Sequence, residues 1–168
     1  MGEVWDVYDR DLNKIGKDCV RGKERLPNGE YHLVVSAVIL NSNNEILLAQ
    51  RAEGRPNGLK WELTGGSVLK GETGEEGILR ELSEEIGVNA IKDEGIKLKE
   101  ILSDIYHDIK QIWLFRKDLD IKNDIKFNDG ETIKVKYVNV DEYKTMLENR
   151  ETLDKIYFTV DDFNNLIS

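Results

Sequence analysis

One stretch of the chain carries a long helical repeat, and carboxylates crowd it. From Gly66 to Val88 the residues read GSVLKGETGEEGILRELSEEIGV. Ile78, Leu82 and Ile86 stand at i, i+4 and i+8, which predicts a helix over Thr73–Ile86 with one apolar stripe. Gly87 is placed just past its end, where a left-handed residue closes a helix. Around this helix lie short β-branched and aromatic runs, and a second helical pattern follows near the C-terminus. Strands surrounding one central helix, with further helices later, predict an α/β layered domain and exclude a helical bundle or a β-sandwich.

Val4–Tyr8 and Lys14–Val20 flank the turn-rich residues 9–13 and predict a hairpin. Residues 23–30, with Pro27-Asn28-Gly29, form a connector. His32–Leu40 and Glu45–Gln50 then predict a second hairpin of partly buried strands around the turn 41–44. Arg51–Gly58 is a polar loop, and Trp61–Leu63 a short strand entering Gly65-Gly66. Strands follow at Lys97–Tyr106, Lys110–Lys117 and Thr132–Asn139, then a helix from Val140 or Asp141 to Asn149 and another from about Thr159. The division expected is an N-terminal hairpin extension, residues 1–31, and a main domain, residues 32–168.

The formal charge is −9, from 33 acidic and 24 basic residues. Such a surface argues against nucleic acid, whose affinity comes mainly from neutralised phosphates, and against an anionic membrane. A small phosphate ligand stays open, because divalent cations reverse the local sign in a carboxylate pocket. The single cysteine, Cys19, rules out an intrachain disulfide and fits a cytoplasmic location. No signal peptide is expected, and the longest apolar run, Leu33–Leu40, is too short to span a bilayer.

Glu81, Glu84 and Glu85, at i, i+3 and i+4, can project to one side of the helix. Like charges there repel, whereas Mg²⁺ takes oxygen ligands from one or two carboxylates and substrate phosphates. Arg80 lies in the same turn, and its planar fork suits pairing with Glu72. A solvated acidic face is the ordinary alternative in a chain with 34% charged residues. The full spacing decides against it: Gly66, five residues, Glu72, seven residues, Arg80-Glu81-Leu82, one residue, Glu84-Glu85, one residue, Gly87-Val88.

That segment resembles the Nudix box, G-x5-E-x7-R-E-U-x-E-E-x-G-U with U aliphatic, at every specified position. Chance coincidence is on the order of 10⁻⁷ per chain. The resemblance extends over roughly residues 32–147, through Leu47-Leu48-Ala49-Gln50-Arg51 and Trp61-Glu62-Leu63-Thr64-Gly65-Gly66. It implies an α/β/α sandwich with a mixed sheet and a Mg²⁺-dependent hydrolase, Mn²⁺ being a substitute, acting on a small-molecule diphosphate. Metal binding is implied for Glu81, Glu84, Glu85 and the Gly65 carbonyl, with Glu81 a candidate base and Arg80–Glu72 an orienting ion pair. Glu131, before the strand at Thr132, is implied to complete the metal shell or act as base, and its neighbour Asp129 is read as a surface residue. Arg51, Arg55, Gly65 and Gly66 are candidate substrate contacts. Thr64 stands where proline is usual and Gly77 where alanine is usual. Gly74 and Gly77 are each expected to weaken the helix by about 1 kcal/mol relative to alanine.

Trp113, Phe115 and Tyr106 are candidates for base stacking, with strand packing as the alternative. His32 and His107 lack Cys/His neighbours at zinc spacing. The N-terminal residues 5–32 look like the opening of the Nudix branch that contains isopentenyl-diphosphate isomerases. Those enzymes need a cysteine and a histidine-rich metal site near the Gly-Gly segment, where this chain has Gly65 and Ser67. A non-catalytic nucleotide-sensing module is the other rival, although the three intact carboxylates favour an enzyme. A second copy of the chain is the one protein partner considered. The group attached to the diphosphate stays open.

Overall fold

The computed structural model describes residues 2–168. The order of elements is β1 (Val4–Tyr8), β2 (Lys14–Val20), β3 (His32–Leu40), β4 (Ile46–Arg51), β5 (Trp61–Glu62), β6 (Thr64–Ser67), α1 (Gly74–Ile86), β7 (Ile96–Ser103), β8 (Asp108–Arg116), α2 (Ile121–Asp124), β9 (Thr132–Val138), α3 (Val140–Glu148) and α4 (Val160–Ile167). Strands β3 to β9 make one seven-stranded mixed sheet of order β5-β4-β3-β8-β7, with β6 paired to β3 and β9 to β4. The apolar run of β3 is nearly continuous because both faces of that strand are covered. Leu33, Val35, Ala37 and Ile39 face one way and pack with Ile78, Leu82 and Ile86 of α1. Val38 and Leu40 face the other way and pack with Tyr143, Met146 and Phe163 of α3 and α4. The result is an α/β/α sandwich.

The expected hairpin of residues 32–50 is corrected in its pairing. β3 and β4 meet only at Leu40↔Ile46. Along Val34–Ala37 the place beside β3 is taken by β6, antiparallel, and β8 runs parallel to β3 from His32↔Asp108 to Leu40↔Arg116. β4 turns instead to β9 and β5. This splaying opens a gap between β4 and β6 at the end where the Glu-rich helix passes.

Helix α1 starts as its sequence dictates. Thr73 accepts from Glu76 N while the Glu76 side chain accepts from Thr73 N, a reciprocal capping box, and Gly87 ends the helix at φ 69°. The expectation that Gly74 and Gly77 only weaken the helix is incomplete. A Cβ at Gly77 would lie 2.9 Å from Val68 Cγ2, and one at Gly74 would overlap Gln111 Oε1. These glycines let α1 sit closely on the sheet.

The β1–β2 hairpin forms its own two-stranded sheet. Tyr8 and Tyr31 exchange backbone hydrogen bonds of 2.8 and 2.9 Å, and Lys70 N donates to Val4 O at 2.8 Å. Trp5 stacks on His32, ring centroids 4.2 Å apart. At the other end, the segment after α3 clamps β5, with Leu63 N donating to the buried Asp154 carboxylate at 2.7 Å.

Candidate active site

Where β4 and β6 diverge lies a cleft of about 230 Å³. Its floor is the face of α1 bearing Glu81, Glu84 and Glu85, and one wall is the β6 backbone at Gly65, Gly66 and Ser67. Arg51 and Arg55 stand opposite with Asp129 and Glu131, and Glu3 and Arg21 of the hairpin form the rim. Residues separated by up to 128 positions in the chain thus face one space.

The close approach of β6 to α1 requires its glycines. A Cβ on Gly66 would lie 2.5 Å from Glu81 Oε1, and one on Gly65 would overlap the Val35 carbonyl oxygen. Behind the floor, Arg80 binds Glu72 through two bonds, Nε to Oε1 at 2.7 Å and Nη2 to Oε2 at 3.1 Å. Its Nη2 also donates to Ser67 O at 2.9 Å, and its Nη1 to Glu81 Oε1 at 2.8 Å and Glu84 Oε2 at 3.1 Å. One guanidinium therefore ties the loop before α1, the end of β6 and two floor carboxylates together. Burial opposes the charge on Arg80, but Glu72 and Glu81 outweigh it and hold the guanidinium above its ordinary pKa. Burial likewise acts against Glu72, and hydrogen bonds from Arg80 and Leu69 N bring it below the usual carboxylate value.

Glu81 and Glu85 are both buried. Burial raises Glu81, against the pull of Arg80. Glu85 is pushed up to about 9, first by burial and then by Glu81, Glu62, Asp129 and Glu131, carboxylates all. Glu85, Asp129 and Glu131 each offer a ligand oxygen within 4.8 Å of the others. Hard oxygen donors in that number fit Mg²⁺ or Mn²⁺, whereas a soft or nitrogen-seeking metal finds no partner in the set. A cation held by those ligands would offset both the burial and the carboxylate repulsion that raise Glu85.

Asp129 is exposed, and it is nonetheless more than the uninvolved neighbour expected of it. It lies in the cluster, and its Oδ1 also accepts from Glu131 N at 2.9 Å. Glu62, Glu3 and Arg21 were equally without a sequence signal. Glu62 is held up by burial despite Arg51, which donates to it at 2.7 Å and to Pro56 O at 2.9 Å. Arg51 is thus engaged by the protein, while Arg55 reaches Glu131 at 2.5 Å through Nη2. Phe115 is buried in the core, Trp113 donates to Gln111 Oε1 at 3.2 Å, and Tyr106 is exposed; none of the three lines the cleft. Cys19 is buried beside Val7 and Leu26 and lines a different cavity, against the isomerase alternative. Among the described residues no helix is long and apolar enough to cross a membrane.

The family model of the NUDIX domain matches residues 30–159. An uncharacterized Nudix hydrolase of Listeria monocytogenes is 31% identical over 171 residues, covering 98% of this chain and 95% of its own. The 8-oxo-dGTP diphosphatase of Escherichia coli is 40% identical over 55 residues, 33% of this chain and 43% of its own. A crystal structure of a Deinococcus radiodurans protein superposes with a TM-score of 0.74, covering 89% of this chain and 91% of that one. At 20% identity that likeness speaks for the fold alone.

Proposed function

The chain belongs to the Nudix family and is a diphosphate-hydrolysing enzyme, and from that premise we propose that it cleaves the diphosphate linkage of a nucleoside diphosphate joined to a further moiety, with Mg²⁺ as cofactor. The observation that carries this reading is Glu85. A carboxyl raised to about 9 keeps its proton at neutral pH unless a cation replaces that proton, and Asp129 and Glu131 each bring a further ligand oxygen to the same point. Glu81, Glu84 and Glu85, with Asp129, Glu131 and the Gly65 carbonyl, are the groups that would hold the cation. When bound, a divalent cation neutralises charge on the diphosphate and lowers the pKa of a water.

The chain's own residues do the positioning. Arg80 fixes Glu81 through Oε1, which leaves Oε2 to take the proton of the water that attacks phosphorus. The bare backbone at Gly65-Gly66 lets a phosphate oxygen approach the floor where a side chain would block it. Arg55 presents a guanidinium to phosphate from the opposite wall, and Arg51, braced by Glu62 and Pro56, holds that wall in shape.

The test is a panel of nucleoside-diphosphate derivatives offered to chelated protein, with products identified by mass. Turnover should be absent until Mg²⁺ or Mn²⁺ is added. Full turnover in excess chelator overturns the metal-dependent mechanism. Binding of a nucleotide without product release on any substrate overturns the hydrolytic reading in favour of a sensor.

A further inference from the structure

Glu131 is claimed from two sides. Its Oε1 accepts from Arg55 Nη2 at 2.5 Å, and the same carboxylate lies in the cluster with Glu85 and Asp129. A carboxylate engaged by a guanidinium is a poorer cation ligand, and the positive charge of Arg55 beside the cluster opposes a cation directly. Arg55 is itself incompletely bound: its Nε is buried and has no hydrogen-bond partner. Both side chains are about one-third exposed, 35% and 38%, so the pair is open to a ligand entering the cleft. Half-exposed ion pairs are weakly held. A phosphate offers arginine a bidentate, negatively charged partner that satisfies two N–H groups at once.

The two side chains sit on neighbouring loops. Ala52 N donates to Glu131 O at 2.8 Å, a backbone bond that fixes the spacing of the loops without engaging either side chain. Gly130, between Asp129 and Glu131, has φ 73° and open space where a side chain would project.

We propose that the Arg55–Glu131 pair is a substrate-operated latch: a phosphate of the substrate takes over the Arg55 guanidinium and frees the Glu131 carboxylate for the cation site it shares with Glu85 and Asp129. The inference rests on the hydrolase reading above and adds to it a coupling between the phosphate and cation sites. Such coupling is reciprocal at equilibrium, so it is visible in cation binding alone. Arg55 acts through Glu131 and is a positioning residue for the cation site.

The experiment is a Mn²⁺ titration, free Mn²⁺ being read by electron paramagnetic resonance without any turnover. Wild type, Arg55→Gln, Glu131→Gln and the double variant are compared, with thermal melts to show that each folds. Arg55→Gln should tighten Mn²⁺ binding about fivefold or more, the lower range of allosteric couplings. In the Glu131→Gln background the same substitution should give no more than Arg21→Gln gives, a change that removes a rim charge without touching Glu131. Inorganic phosphate should tighten Mn²⁺ binding to the wild type and have no such effect on Arg55→Gln. Arg55→Lys, a second variant that keeps the charge but loses the fork, should fall between the two. An equal gain in both backgrounds marks a simple charge effect and overturns the latch, as does no gain at all. Wild-type protein that binds no Mn²⁺ overturns the latch and the hydrolase reading together. Mn²⁺ binding with a flat cycle overturns the latch alone.

Discussion

Glu85 sets the behaviour of the site at the level of single residues. Folding lifts its pKa from the usual 4.5 to about 9, so between those values the folded chain binds more protons than the unfolded one. Stability without metal therefore falls as pH rises through that window. Glu85→Gln removes the charge and nearly keeps the shape, so it should raise the metal-free thermal midpoint, and the gain should grow from pH 5 to pH 9. Its turnover with Mg²⁺ should fall by about 10²-fold or more, the scale of losing an acid–base group. A variant with an unchanged midpoint and near-normal turnover would show that Glu85 takes no part in holding the cation. Asp129 and Glu131 belong to the same argument. Each offers an oxygen to the cluster, so Asp129→Asn and Glu131→Gln should both lower turnover at least tenfold with stability changed by less than about 1 kcal/mol. Steady-state rates at saturating Mg²⁺ check this, and a normal rate for Asp129→Asn would show that this exposed carboxylate takes no part in holding the cation. The carboxylates of α1 were legible because a helix converts spacing into a shared face. Asp129 was not, because nothing local in a Gly turn says which distant helix it meets.

Most elements whose identity depends on local pattern were readable to within a residue or two, and the end of β7 to within three. β1 and β2 lie on either side of the turn-rich residues 9–13, as expected, and α1 runs between its capping residues Thr73 and Gly87. What the pattern did not carry was partnership. Nothing in His32–Leu40 states that most of its length pairs with β6 and β8 and only Leu40 with β4, since pairing is decided by long-range packing on both faces. The short α2, four residues, and the separation of β6 from β5 were missed for a related reason: too few residues to show a period. β6 carries the sharpest test at this scale. Gly65 is paired to Ser36, and a Cβ there meets the Val35 carbonyl, which belongs to the neighbouring backbone and has no rotamer to yield. Gly65→Ala should therefore destabilise the protein by about 1–3 kcal/mol, the range for overpacking, and should lower turnover by moving the wall of the cleft. Urea unfolding measures the first effect. A loss below about 0.5 kcal/mol would mean that β6 shifts freely, and the glycine would have no packing role.

For the molecule as a whole, the acidic excess and the cleft predict a link between cation and stability. The net charge is −9, and several of the carboxylates responsible converge on one cleft. A ligand that binds the folded chain alone stabilises it by RT ln(1 + [L]/Kd), about 2.7 kcal/mol at a hundredfold excess over Kd. For a chain of this size each kcal/mol moves the thermal midpoint by roughly 2–4 °C, so saturating Mg²⁺ or Mn²⁺ should raise it by about 5–10 °C. Screening of the overall negative charge would also stabilise, and a NaCl series at matched ionic strength separates the two, because screening does not saturate at a site. Glu85→Gln supplies the second control. It lacks the charge that the cation replaces, so its midpoint should start higher than wild type without metal and rise less when metal is added. The two curves should therefore converge or cross as the cation concentration increases. Parallel curves for the two proteins, or a wild-type midpoint that follows ionic strength alone, would show that the cation does not bind through Glu85. In that event the raised carboxylate would be a buried, protonated group, and the cleft would need another explanation for its charge.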